Sequence, residues 1–264
     1  MKKYLRHFAC RLENARQWLN AAIAFSLFRA QKLLPADPAM KFADRFARLV
    51  GPFTSRHKLV LRNLALASPE KHESDQLFDY DPKHDQPGRI EVSGIAKFTE
   101  LRDRKRPFIV FNAHTGTFEL LSVVGATFVL DVTSLFRPPN NPYVATRLSA
   151  FRRKRIGSLV PSNAGSAFAL ARQLERGGGV GILVDQKFRK GVRTKFFGEG
   201  VQTNPLLAKL VRRFGCDVFP ARCIRLPNNR FRLDLEPKLE IPRNRQGAVD
   251  IEQTAQLLNE KVET

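Results

Sequence analysis

The sequence predicts an α/β fold: a mainly parallel mixed sheet covered by helices, with an antiparallel hairpin near the C-terminus and amphipathic helices at the N-terminus. Three observations lead there. Short, nearly continuous apolar runs such as Pro107–Ala113 (PFIVFNA) and Val180–Val184 (VGILV) have the length and content of strands buried on both faces. They alternate with longer segments of helical spacing, the arrangement that builds parallel sheets. Pro227-Asn228-Asn229-Arg230 between two apolar stretches is a hairpin signal. With 264 residues, 43% of them hydrophobic, the chain can close one substantial core, burying ~70–75% of the surface exposed when unfolded. The expected organisation is a helical, membrane-associating region over 1–68, a polar connector over 69–89 and the α/β domain over 90–264.

The elements follow in order. The apolar run Trp18–Phe28 lies between Arg16 and Arg29 and falls short of the ~20 residues that span a bilayer as a helix. Met1-Lys2-Lys3 resembles the start of a secretory signal, but Glu13 and Arg16 interrupt the approach and Arg29 follows directly. In Pro38–Val50, the residues Phe42, Phe46, Leu49 and Val50 recur at helical spacing. These two segments read as basic amphipathic helices in a membrane interface, with ordinary packing on the domain as the alternative. Residues 69–89 are rich in Pro and Asp, as connectors are. Beyond them, Pro107–Ala113 is a strand, Phe118–Phe128 a helix, Val132–Phe136 a strand and Pro142–Ile156 a helix. Gly165–Arg176 is a helix closed by Gly177-Gly178-Gly179, and Val180–Val184 is the second buried strand. Asn204–Phe214 is a helix with Pro205 in its first turn. Val218–Leu226 and Phe231–Leu235 form the hairpin, and Asp250–Val262 is the final helix.

Charge narrows the partners. With 45 Lys+Arg against 25 Asp+Glu the formal net charge is +20, which calls for nucleic acid, anionic lipid or an acidic protein. The aromatics are 21 Phe, 3 Tyr and 1 Trp, a balance suited to apolar burial more than to stacking on bases. The cations are spread along the chain and no nucleic-acid-binding motif occurs, so nucleic acid is not the expected partner. The 3 cysteines show neither CxxC spacing nor nearby histidines, so no disulfide scaffold and no structural zinc are expected, and a reducing compartment fits.

The strand FIVFNA runs into His114-Thr115-Gly116-Thr117-Phe118-Glu119. In open α/β sheets, sites gather where strands end and helices begin. Gly116 permits a sharp turn, and Thr115 or Thr117 can cap the helix. On one continuous helix, His114 and Glu119 would diverge by about 140°, so the two meet only if His114 precedes the helix. This gives a general-base pair, with His114 taking a proton from a substrate hydroxyl and Glu119 fixing its tautomer. The alternative is a capping histidine beside a solvated glutamate. No GxSxG elbow is present, so direct attack by the hydroxyl on an activated acyl group is simpler than a covalent acyl-enzyme. Asp185 and Gln186 close the VGILV strand and share this edge if the two strands are parallel. Arg152, in a helix ending in four basic residues, and Arg137, after the middle strand, are cations suited to a phosphate or an oxyanion. Gly177–Gly181 (GGGVG) precedes its strand and reads as a helix C-cap and turn.

HTGTFE after an apolar strand resembles the H-x4-D/E box of glycerolipid and lipid A acyltransferases. FRPPNNP followed by Arg152, then LVDQ, then VRTKFFGEGVQTNP resembles the late acyltransferases of lipid A biosynthesis, the lauroyl/myristoyl type, over roughly residues 40–262. The resemblance implies an enzyme at the cytoplasmic face of the bacterial inner membrane. It would move a fatty acyl group from acyl carrier protein to a hydroxyl of a lipid A precursor, with no metal or other cofactor. It implies His114, Glu119, Arg152 and Asp185 as catalytic residues and Arg137, Gln186 and Thr203 as substrate-binding ones. Another glycolipid or a lysophospholipid is the alternative acceptor. The short stretch Lys71–Leu77 and the end at Thr264 suggest a truncated or diverged member.

Overall fold

A computed structural model describes residues 2–31, 33, 35–53, 90–104, 106–153, 157–162, 165–227 and 230–263. The connector expected over 69–89 lies outside the described residues. Two helices come first, α1 (Lys2–Gln31) and α2 (Ala36–Val50), with a 3-10 turn at Gly51–Phe53. The alternation then begins: β1 (Ile90–Ser93), α3 (Ile95–Asp103), β2 (Phe108–Asn112), α4 (Glu119–Thr127), β3 (Val132–Phe136), α5 (Pro142–Arg153), β4 (Ser158–Pro161), α6 (Ser166–Glu175) and β5 (Gly179–Leu183). A small hairpin follows, β6 (Val192–Phe196) and β7 (Glu199–Thr203), and then α7 (Leu206–Phe214), β8 (Asp217–Leu226), β9 (Arg230–Leu235) and α8 (Ile251–Glu263).

Seven strands make one sheet in the order β1-β9-β8-β2-β5-β3-β4. From β8 to β4 every pairing is parallel. The expected hairpin is β8–β9, which is antiparallel, and β1 adds to β9 in parallel at the edge. The fold is thus the predicted α/β type with a mixed, mainly parallel sheet. Five elements go beyond the expected set of the α/β domain: β1, α3, β4 and the two strands of the separate antiparallel pair β6–β7.

β2 sits centrally and is buried at every position, which is why its sequence is apolar throughout. Its side chains alternate between two cores. Ile109 and Phe111 join Val180, Ile182 and Val218 against Leu170 and Leu174 of α6, Leu207 and Leu210 of α7 and Leu258 of α8. Phe108 and Val110 join Phe219 and Leu233 against Phe98 and Leu101 of α3 and Leu120 and Val124 of α4. Burying each such side chain is worth ~1.5–3 kcal/mol, so β2 is pinned from both sides.

Outside this framework, α1 docks on α5. Ala21 is buried, Asn141 Nδ2 donates to the Gln17 carbonyl at 2.7 Å, and the Arg147 guanidinium lies 4.8 Å from the Phe25 ring centre. The β6–β7 hairpin is held to α8 by Asn259. Its Nδ2 reaches Thr194 Oγ1, Thr203 Oγ1 and the Lys195 carbonyl, each at 3.0 Å. Thr194 and Thr203 also bond to each other at 2.8 Å. Asn259→Leu removes the donor that the buried Thr194 and Thr203 hydroxyls and the part-buried Lys195 carbonyl share and should cost ~1–3 kcal/mol. Urea unfolding should show a lower midpoint at unchanged slope, and an unchanged midpoint would refute the anchor.

Candidate functional site

Strand register builds the site. β2 and β5 run in parallel with Asn112 opposite Leu183. Two residues further along each chain stand His114 and Asp185, so both leave the same sheet edge side by side. His114 Nδ1 lies 2.8 Å from Asp185 Oδ1, and the His114 backbone N–H donates to Asp185 Oδ2 at 2.8 Å. A carboxylate can only accept, so the ring proton facing it stays on Nδ1 and is donated to Asp185. That leaves the Nε2 lone pair open, and Gln186 Nε2 lies 3.3 Å from it. The ring also packs edge-on against Phe118, centroids 4.9 Å apart. Burial pushes the Asp185 carboxyl up, but the hydrogen bonds from His114 and the attraction to its ring outweigh burial and hold it below its ordinary value.

This corrects one expectation. The carboxylate at the ring nitrogen belongs to Asp185, where spacing assigned that place to Glu119. The reason is geometric: Glu119 opens α4, whereas Asp185 arrives from the neighbouring strand in register. α4 also starts without a side-chain cap, with Phe118 as the N-cap residue, so neither Thr115 nor Thr117 plays the expected role.

Gly116 makes the turn possible. Its φ is +56°, and a Cβ there would collide with the Cys223 carbonyl of β8. The Thr117 backbone also bonds the Cys223 thiol, whose pKa burial pushes up. The loop carrying His114 is therefore seated directly on a neighbouring strand.

His114 stands at a cavity of about 370 Å³ between the sheet and α4, within the ~300–1,000 Å³ range of small-ligand sites. Its lining is mostly apolar, including Phe98, Leu101, Leu121, Leu130, Phe136 and Leu159. Glu119, Arg137 and Gln186 line it as well. Gly181 forms part of this wall. Gly177 makes the expected turn with φ +79°, but Gly179 and Gly181 belong to β5. Their missing side chains leave room on the cavity face for Phe108, Val132 and Ser134. Two glycines at strand spacing were the sequence signal for this slot.

A second cavity, of about 680 Å³, shares Gln186 with the first and has Asp185 in its wall. Thr203 lines it, but its hydroxyl is engaged by Thr194 and Asn259, so it supports the wall. Arg152 lies in α5, and its side chain is outside the described residues. Among the described residues no group of three or more His, Cys, Asp or Glu is placed to hold a metal ion.

A family model described as bacterial lipid A biosynthesis acyltransferase matches residues 78–264. No curated protein matches the chain.

Two outcomes test this geometry. Gly116→Ala should displace the loop from β8 and reduce activity at least tenfold, with a cost of ~1–3 kcal/mol for a side chain at positive φ. Wild-type activity in that variant would refute the seating. Because its ionisation is favoured in the fold, the Asp185 carboxylate contributes stability above its ordinary value near 3.8, and this is lost as pH falls through the lowered folded value. The stability gap between wild type and Asp185→Asn, from urea unfolding at several pH values, should therefore hold at neutral pH and shrink below pH 3.8. A gap that widens there would contradict the pairing.

Proposed function

Because the chain belongs to the bacterial lipid A biosynthesis acyltransferase family, we propose that it transfers a fatty acyl group from acyl carrier protein to a hydroxyl of a lipid A precursor, with His114 as general base. The observation that carries this is the His114–Asp185 pair standing at an apolar cavity. The cavity takes the acyl chain and leaves the thioester carbonyl beside the imidazole. Nε2 accepts the proton of the acceptor hydroxyl as its oxygen bonds to the carbonyl carbon. The tetrahedral intermediate collapses with rupture of the C–S bond, and the imidazolium returns the proton to the departing thiolate. Asp185 holds the tautomer and stabilises the imidazolium, and a base so placed contributes ~10²–10⁴-fold. Gln186 occupies Nε2 until the hydroxyl displaces it.

Glu119 lines the same cavity and supports its reacting end, while Arg137, from the end of β3, faces the charge that develops on the carbonyl oxygen. Arg152 shares that cationic role, as its place in the acyltransferase motif implies.

The N-terminal helices support a site on an anionic membrane surface, at the cytoplasmic face of the inner membrane. On α1 the exposed residues Phe8, Leu12, Leu19, Ile23 and Leu27 fall on one stripe. On α2 the same holds for Phe42, Phe46, Leu49 and Val50, with Lys41, Arg45 and Arg48 flanking them. Among the described residues no helix is long and apolar enough to cross a membrane, and the exposed apolar stripes support helices lying in the interface. The net charge of +20 draws the chain to anionic lipid and to an acidic carrier.

The test is to incubate the purified chain in anionic vesicles with acyl carrier thioesters and a lipid A precursor, then to weigh the products. A mass gain of one acyl group is expected. Its absence with every thioester tried refutes the reading. His114→Ala should lower kcat by at least ~10²-fold. Asp185→Asn should be nearly as severe, and Glu119→Ala less so. Normal turnover by a folded His114→Ala variant would remove the base assignment.

A further inference from the structure

We infer that the second cavity binds a phosphate group of the acceptor lipid and so fixes which end of that lipid faces His114. This rests on the proposed acyl transfer and adds a recognition site to it. The cavity is lined by Lys187, Arg189 and Arg193, and among the described residues Asp185 is the one acidic residue in its wall. Asp185 is committed to His114. Among the described residues, none of the three cations is paired with a carboxylate. Some cations elsewhere on the domain are paired, as Arg104 is with Asp217, Arg222 with Glu236 and Arg230 with Glu91. Three like charges converging on one concavity repel each other, and a dianionic phosphate relieves that repulsion while accepting charge-assisted hydrogen bonds.

The wall is firm enough to select a ligand. Arg193 lies on β6 next to Thr194, whose hydroxyl is tied to Thr203 and Asn259. The two cavities meet at Gln186 beside His114 Nε2; both have mostly apolar walls, and the second adds three cationic side chains to its lining. An amphiphile with a phosphorylated headgroup and a hydroxyl close to it matches this layout. Lys187 is two residues past Asp185, so their Cα atoms are within ~7 Å. A phosphate held there is a short reach from the dyad. This favours the acceptor over the carrier's phosphopantetheine arm, whose phosphate is many bonds from its thioester.

The test compares wild type with Lys187→Gln, Arg189→Gln and Arg193→Gln, singly and combined, on a phosphorylated lipid A precursor and on the same lipid with its phosphates removed. The combined variant should raise KM for the phosphorylated acceptor at least ~10-fold with kcat little changed, the mark of lost uniform binding. KM for the acyl carrier thioester should stay the same, and Arg193→Lys should recover most of the loss. Lys209→Gln with Arg212→Gln, exposed on α7, should change nothing. On the dephosphorylated lipid, wild type and the combined variant should be equally poor. Direct binding of both lipids to His114→Ala in vesicles separates this proposal from the catalytic one. Tighter binding of the phosphorylated form without any acyl transfer by wild type would sink the catalytic reading and uphold the pocket. Equal binding of the two lipids by His114→Ala, or a KM increase confined to the acyl carrier, would overturn the pocket.

Discussion

The register between β2 and β5 is the constraint on which the site depends. Parallel pairing with Asn112 opposite Leu183 brings His114 and Asp185 off the sheet at matching positions, close enough for two hydrogen bonds of 2.8 Å. A slip of one residue would turn Asp185 to the opposite face. The slip is resisted by both cores, because β2 and β5 each contribute to the packing against α6, α7 and α8, and Phe108 fits the space above Gly179. Core packing and the placement of the imidazole are one problem with one solution.

The same glycines carry a second consequence. β5 alternates Val180 and Ile182 on one face with Gly179 and Gly181 on the other. The filled face packs helices, and the empty face leaves a slot under α4. A strand with side chains on both faces would hold the sheet together equally well and leave less of this space. The cavity is therefore written into the strand at period two, next to the His114–Asp185 pair.

Local pattern revealed what depends on local pattern. The buried strands at FIVFNA and VGILV, the helices between them and the β8–β9 hairpin follow from apolar periodicity and turn residues. His114, Asp185 and Gln186 were legible as strand-end residues that would share an edge if their strands ran parallel, and they do. The identity of the partner was not legible, because adjacency of β2 and β5 is a fact of topology across seventy residues of chain, roughly, whereas Glu119 was near in sequence. The β6–β7 hairpin was hidden for a different reason. Its turn is Phe197-Gly198 with φ of +46° and +76°, and Phe in a place that usually takes Asn or Asp gives no turn signal. β1 and β4 are four residues each, too short for alternation to stand out.

The missed hairpin also explains why the cationic cavity could not be seen in the sequence. Lys187 and Arg189 follow β5 directly, but Arg193 joins them only because β6 folds back against β7 and is fastened to α8 through Asn259. As a run, KFRKGVRTK looks like a solvated basic stretch. Folded, it places three cations without carboxylate partners among the described residues around one concavity, while the acidic side chains of Asp217, Glu236 and Glu91 are engaged by other arginines. A surplus of +20 spread evenly would attract any polyanion. Concentrated beside His114 and separated from an apolar slot by a single glutamine, part of that surplus becomes directional. In the proposed reaction it would hold an anionic headgroup on one side of the imidazole and leave the other side to hydrocarbon.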